Sequence, residues 1–303
     1  MRYRCLLHQL SGVVAVIFSI ALWLDLAHAE EKYPGRTWEI AGQPEAFGYS
    51  SQQLYRAKQY ADGINTAAVI IVVDGVIIYE WGSVHTKMMT HSMRKSFLSA
   101  LFGNYVHQGT IQLDKTINSL GINDNPSLSD VEKQATIHDL LKARSGIYHP
   151  ALYETADMKS LKPERHSQIP GTHWYYNNWD FNVLGTIFKQ ETGKTIFEAI
   201  KTDIADPIGM EDYVPEDGWY ITGKASRHAA YPFRITARDL ARRPSDVAQR
   251  PLERRTGNPR YVGQGEHRLP FRCSTVQYRR LRIHVVGSQR PQPISPSAGR
   301  HTA

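Results

Sequence analysis

The chain has little cysteine. Of its 303 residues only Cys5 and Cys273 carry a thiol. Cys5 lies in an apparent leader, so the mature chain keeps one. A lone thiol makes no disulfide within the chain and no cysteine-based metal site. The 13 histidines do not recur at metal-ligand spacing either. Long hydrophobic runs are also missing. The stretch "SGVVAVIFSIALWL" at residues 11–24 falls short of the ~20 residues that span a bilayer. The basic "MRYR" precedes it and Ala27-His28-Ala29, an A-x-A cleavage pattern, follows it. Residues 1–29 therefore read as a secretory signal peptide, with an uncleaved anchor as the alternative. The expectation is a secreted or periplasmic protein, cut near Ala29, that meets the membrane only transiently during export.

Lysine is absent from the last fifth of the chain. Residues 243–303 hold 12 arginines, no lysine and three acids (Asp246, Glu253, Glu266). That tail is +9, and the remainder is −2, against a whole-chain charge of +7. Seven of the 16 prolines fall there too, without sustained periodicity. Such composition reads as disordered. A basic tail raises nucleic acid as a partner. This one lacks lysine, interleaved aromatics and a fold motif, so no nucleic acid is expected.

What is present reads as a globular enzyme-sized unit: 41% hydrophobic and 21% charged. The run "AAVIIVVDGVIIYEWG" is a hairpin around Asp74-Gly75, a pair suited to a type I′ turn. Its unbroken apolar runs predict strands covered by other elements. "FGYSSQQLYRAKQYADG" predicts a short amphipathic helix before it. Further helices are expected over "SDVEKQATIHDLLKARSG", capped by Ser129 and Glu132, over "WDFNVLGTIFKQETG", stopped by Gly193, and over "TIFEAIKTDIADPIGM", ended before Pro207.

Between them lies "HSMRKSFLSALFG", residues 91–103. Met93, Phe97 and Leu101 share a face, with Leu98, Phe102 and Tyr105 beside them. A helix apolar around so much of its girth is deeply buried. Ser92 and Lys95 stand at i and i+3, neighbours on one face. A serine hydroxyl needs a base in contact before it attacks. Desolvation lowers a lysine pKa, so Lys95 as a neutral amine could take the Ser92 proton. A serine at a helix start also has a backbone N–H free for an oxyanion. Arg94 is expected to face solvent. His91 is a poor rival base, because adjacent helical residues point apart. The motif alone is also met by a capping serine beside a surface lysine. Asp139 and Asp239 complete a triad only with a histidine that sequence does not place. Arg144 is read as a local ion-pairing residue or a substrate-carboxylate contact.

A second element, "WYYNNWDFNVLG", carries Tyr-x-Asn before a helix. Two registers fit: Tyr176 with Asn178, and Tyr175 with Asn177. The ordered pieces "VVDGVIIYEWG", "HSMRKSFLSALFG", "GTIQLDKTI", "TIHDLLKARSGIYH", "PGTHWYYNNWDFNVLG", "DPIGM" and "ITARDLAR" resemble the serine β-lactamase and penicillin-binding-protein superfamily, in its class C β-lactamase-related branch of serine hydrolases. They cover about residues 40–242, so the domain is read as 30–242. The resemblance favours Tyr176 and Asn178, because that register sets Leu184-Gly185 at the family offset. It implies an α+β fold: an antiparallel five-stranded sheet flanked by helices plus a helical lobe, with the site between. It implies an acyl-enzyme on Ser92, Lys95 as base, Tyr176 in proton transfer and Asn178 as substrate-binding residue. It implies a small ester, amide or β-lactam substrate, and neither metal nor organic cofactor.

The resemblance stops at Arg242. The family's third motif, Lys-Thr-Gly or a variant, sits on a later strand that also supplies an oxyanion N–H. Arg255-Thr256-Gly257 falls before the expected place, outside any strand pattern. With permitted codons and a one-nucleotide shift, the tail can be read as a family continuation, including a Trp-Trp strand near residues 282–287. Residues 243–303 are therefore read as aberrant, disordered or frameshifted, with the C-terminal strands missing and the hairpin left with an open edge. The alternative function is a catalytically inactive truncated relative, a pseudoenzyme or binding protein.

Overall fold

The computed structural model describes residues 34–242 and 281–287. The expected leader at 1–29, Cys5, Cys273 and Arg255–Gly257 lie outside the described residues.

The two β-branched runs form the expected hairpin. Strands β2 (Thr66–Val73) and β3 (Val76–Gly82) pair antiparallel. Asp74 and Gly75 have φ of 47° and 79°, as a type I′ turn requires. Alternate residues point to opposite faces of a strand. Ala68, Ile70, Val72 and Ile77 pack with Ala237 and Ala241. Val69, Ile71, Val73 and Ile78 pack with Leu54 of the Ser51–Gly63 helix. Helices on both faces explain why the runs are apolar without alternation.

Beside β3 lies β1 (Glu39–Ile40), and beside β2 lies β8 (Leu281–Gly287), giving the order β1-β3-β2-β8. Two features differ from expectation. Four strands are described rather than five, and the two-residue β1 runs parallel to β3. The open edge expected at β2 is filled: β8 pairs with it antiparallel, from Thr66 opposite Gly287 to Val73 opposite Leu281. Leu281, Ile283 and Val285 alternate with Arg282 and His284 in the sequence. That period of two is the strand signature; an arginine-rich composition had hidden it.

The helical side has its own, larger core. A 3₁₀ turn, His91–Met93, leads into the Arg94–His107 helix. Phe97, Leu98, Leu101 and Phe102 from it join Trp179, Leu184, Ile187 and Phe188 of the Asn178–Thr192 helix. Gly193, at φ 74°, ends that helix as expected.

Two predicted helices are drawn differently. The segment from Ser129 splits into a 3₁₀ turn, Glu132–Gln134, and a helix, Ile137–Leu141. Ser129 and Glu132 do cap each other. Ala135, at ψ 136°, then breaks the run, and Thr136 with Asp139 forms a second capping box. The helix expected to end before Pro207 runs on to Ile208. A π turn over Ile200–Ala205 changes the bonding pattern ahead of the proline, which has no N–H to give.

A short ribbon links the two sides. Strand β4 (Met88–Met89) pairs with β7 (Arg234–Ile235), while β5 (Ile221–Gly223) and β6 (Ser226–Ala230) form another ribbon nearby in sequence. Just past β4, the Thr90 N–H and Oγ1 both donate to the Phe233 carbonyl, at 3.1 and 3.0 Å. The chain is thus fixed two residues before Ser92. No described helix is long and apolar enough to cross a membrane.

Candidate active site

Four side chains named from the sequence meet at one point. Lys95 Nζ lies 3.1 Å from Ser92 Oγ, 2.7 Å from Tyr176 Oη and 3.0 Å from Asn178 Oδ1. Ser92 is exposed, so a reactant can reach its hydroxyl. Lys95 is half-buried between the rings of Tyr176 and Phe181, 4.5 and 4.9 Å from their centroids.

The electrostatics follow from that burial. Desolvation first, and the Arg94 guanidinium second, lower the Lys95 amine to about 6. A neutral amine has two N–H donors and one lone pair. Asn178 Oδ1 accepts only, so one N–H goes there; Tyr176 Oη takes the other. The lone pair then faces the Ser92 hydroxyl. A protonated Lys95 would present a donor to all three and leave Ser92 without a base.

The amide of Asn178 is oriented rather than free. Its Nδ2 donates to the Tyr153 carbonyl at 2.6 Å, which leaves Oδ1 for Lys95. The neighbouring residues do other work. Tyr175 Oη donates to the Met158 carbonyl at 2.5 Å. Asn177 caps the Asn178–Thr192 helix and donates to the Ile147 carbonyl and Asp180. Geometry therefore brings Tyr176 and Asn178, not Tyr175 and Asn177, to Lys95. Asp180, deeply buried, accepts from Ser145 Oγ at 2.6 Å, and burial pushes its carboxyl well above the usual carboxylate range.

One expectation is overturned. Arg94 does not face solvent; it is 1% exposed. The 3₁₀ turn before the helix rotates it inward, against the rings of Tyr153 and Tyr231. Tyr153 was not singled out from the sequence at all. Its φ of 64°, its carbonyl on Asn178 and its hydroxyl 3.2 Å from His91 Nδ1 tie a loop to the site. Nothing in "HPALYET" announces that role, because the contacts join residues far apart in the chain.

The other polar residues weighed have structural partners. Asp139 accepts the backbone N–H and the hydroxyl of the N-cap Thr136, and Asp239 accepts the backbone N–H groups of Glu211, Asp212 and Tyr213. His149 is buried between the carbonyls of Pro150 and Pro126. Arg144 donates to the Thr172 carbonyl. Among the described residues no cluster of histidine, cysteine and acid could hold a metal ion.

The chain is similar to several known proteins. A D-aminopeptidase of Brucella anthropi is 24% identical over 170 residues, 48% of this chain and 31% of that protein. The chain thus spans about a third of the length of the curated relative it matches. Among solved structures, FmtA from Staphylococcus aureus shares 18% identity at a TM-score of 0.48, covering 76% of this chain and 72% of that one. A class C β-lactamase shares 20% identity at a TM-score of 0.45, covering 61% and 60%. The family model described as Beta-lactamase matches residues 52–242, a span that holds every residue of the Ser92–Lys95–Tyr176–Asn178 cluster, and the chain belongs to the β-lactamase family.

Proposed function

We propose that this protein is a serine hydrolase that cleaves a small ester or amide, a β-lactam or peptide bond among them, through an acyl-enzyme on Ser92. The observation that carries the reading is the contact of Lys95 Nζ with Ser92 Oγ while the amine is lowered to about 6. Lys95 accepts the Ser92 proton as Oγ attacks the carbonyl carbon. Tyr176, hydrogen-bonded to the same amine, passes a proton to the departing alcohol or amine. Asn178, itself held by the Tyr153 carbonyl, keeps Lys95 in place beside the bound substrate. Water then attacks the acyl carbon, with the Lys95–Tyr176 pair as base, and Ser92 leaves with its proton restored. Ser92 opens a run of helical turns, where backbone N–H groups lack partners within the helix and suit an oxyanion. The leader at 1–29 supports action outside the cytoplasm.

The matching reading of the tail, that residues 243–303 are aberrant and the family's third motif is lost, favours a weakened or inactive relative instead. One experiment separates the two. The purified chain is treated with a fluorophosphonate or penicillin probe and then digested. Labelling of the peptide containing Ser92, absent in Ser92→Ala, supports hydrolase chemistry. An unlabelled protein that stays folded supports the inactive relative.

A further inference from the structure

Arg94 takes no step in the chemistry above, yet it is 1% exposed and adjacent in sequence to Lys95. A guanidinium keeps its proton at any pH a folded protein meets. Burying that charge is unfavourable unless it is paired. None of the ion pairs among the described residues includes it. Its Nη1 donates to the His91 carbonyl at 3.4 Å, while Nε and Nη2 have no hydrogen-bond partner.

Two aromatic faces hold it instead. The guanidinium carbon lies 5.0 Å from the Tyr231 ring centre and 5.5 Å from that of Tyr153. Both rings are anchored. Tyr231 Oη donates to the Phe181 carbonyl at 2.8 Å, and the ring lies against the bare Cα of Gly185, where a Cβ would come within 2.8 Å. Tyr153 is tied to His91 through its hydroxyl and to Asn178 through its carbonyl. The fold therefore keeps a permanent positive charge, with no carboxylate partner among the described residues, one residue from the lysine.

We propose that Arg94 is an electrostatic positioning residue: its buried charge, caged by Tyr153 and Tyr231, disfavours a second positive charge on Lys95 and so keeps that amine a free base. The inference rests on reading Ser92 and Lys95 as nucleophile and base.

Arg94 and Lys95 share neighbours. Tyr231, which faces the guanidinium, donates to Phe181, whose ring faces the Lys95 amine. Tyr153, the other ring at the guanidinium, holds Asn178, which accepts from that amine. Like charges placed around one buried cluster repel. The other groups near Lys95 do not cancel this. Ser92, Tyr176 and Asn178 contact the amine without carrying charge as drawn. The rings of Tyr176 and Phe181 favour the cation and so work against Arg94. His91 is bound to Tyr153. Glu154 pairs with Lys162, and the Asp180 carboxyl, pushed up by burial, is engaged by Ser145 and Asn177. No carboxylate is paired with Lys95 or Arg94 among the described residues.

The test reads the lysine itself. Trace acylation with acetic anhydride across pH, followed by mass spectrometry at Lys95, gives the midpoint of its titration. Arg94→Met and Arg94→Gln remove the charge and keep most of the volume. Both are expected to raise the midpoint by about one unit, which is about tenfold less free amine at any pH below both midpoints. The acid limb of Ser92 labelling by a fluorophosphonate moves up with it. Unchanged midpoints in both variants overturn the proposal. Should neither variant fold, the unmodified protein decides: a Lys95 midpoint in the ordinary lysine range, above about 10, overturns it as well. If Ser92 is not a nucleophile, labelling fails in every variant while the amine titration still reports on Arg94, so the two failures are distinct.

Discussion

Tyr176 Oη stands 2.7 Å from Lys95 Nζ although 81 residues separate them in the chain. The Arg94–His107 helix brings the lysine and the start of the Asn178–Thr192 helix brings the tyrosine. The shared core of those two helices sets the distance.

Removing that hydroxyl tests the pairing. Tyr176→Phe is expected to lower ester turnover by about 10²–10⁴-fold, the usual range for losing a positioned proton-transfer group, with little change in melting temperature. Tyr175→Phe is expected to do the reverse. It loses one hydrogen bond to Met158, worth about 1 kcal/mol, and keeps turnover. Kinetics and calorimetry on both variants read the outcome; equal turnover losses would contradict the assignment.

The amine sets the acid limb. With Lys95 lowered to about 6, the active form is deprotonated. The rate of Ser92 labelling should rise with pH through about 6 and then level off. A limb near the ordinary lysine range would refute this.

The same lowering has a stability consequence with a definite sign. The folded chain holds Lys95 neutral above about 6, whereas the unfolded chain keeps the proton up to about 10.4. Across that window the unfolded state binds more protons, so this group makes stability rise with pH. Lys95→Met removes the effect. It should abolish turnover yet stabilise the fold at pH 7, by about 1–3 kcal/mol, with the gain shrinking as pH climbs. Chemical denaturation at two pH values measures it.

Gly185 sits where the Tyr231 ring leaves no room for a side chain. Gly185→Ala should destabilise the protein by about 1–3 kcal/mol, the range for overpacking a filled core. It should also shift the Lys95 titration, because the displaced ring cages Arg94. A shift in melting temperature without a shift in titration would separate Tyr231 from the electrostatics.

Much of the helix and hairpin content was legible. Asp74-Gly75 between the strands and Gly193 after Thr192 act through neighbours in the chain. Such signals need no tertiary knowledge. The break at Ala135 and the passage through Pro207 were not legible, because each depends on which local bonding pattern packing favours. Strand β8 escaped for another reason: its period-two pattern runs only from Leu281 to Val285 and lies within an arginine-rich tail.

The sequence by itself determined the inventory of the site. Ser92 and Lys95 at i and i+3 meet on any helix, because helical periodicity places them on one face. Tertiary structure decided everything that depends on burial and on long-range approach. It brought Tyr176, the register the resemblance favours, to Lys95 and turned Tyr175 to the Met158 carbonyl. It turned Arg94 from the expected solvent face into the Tyr153–Tyr231 cage. It lowered Lys95, because a charge loses its hydration only when the rest of the chain folds around it.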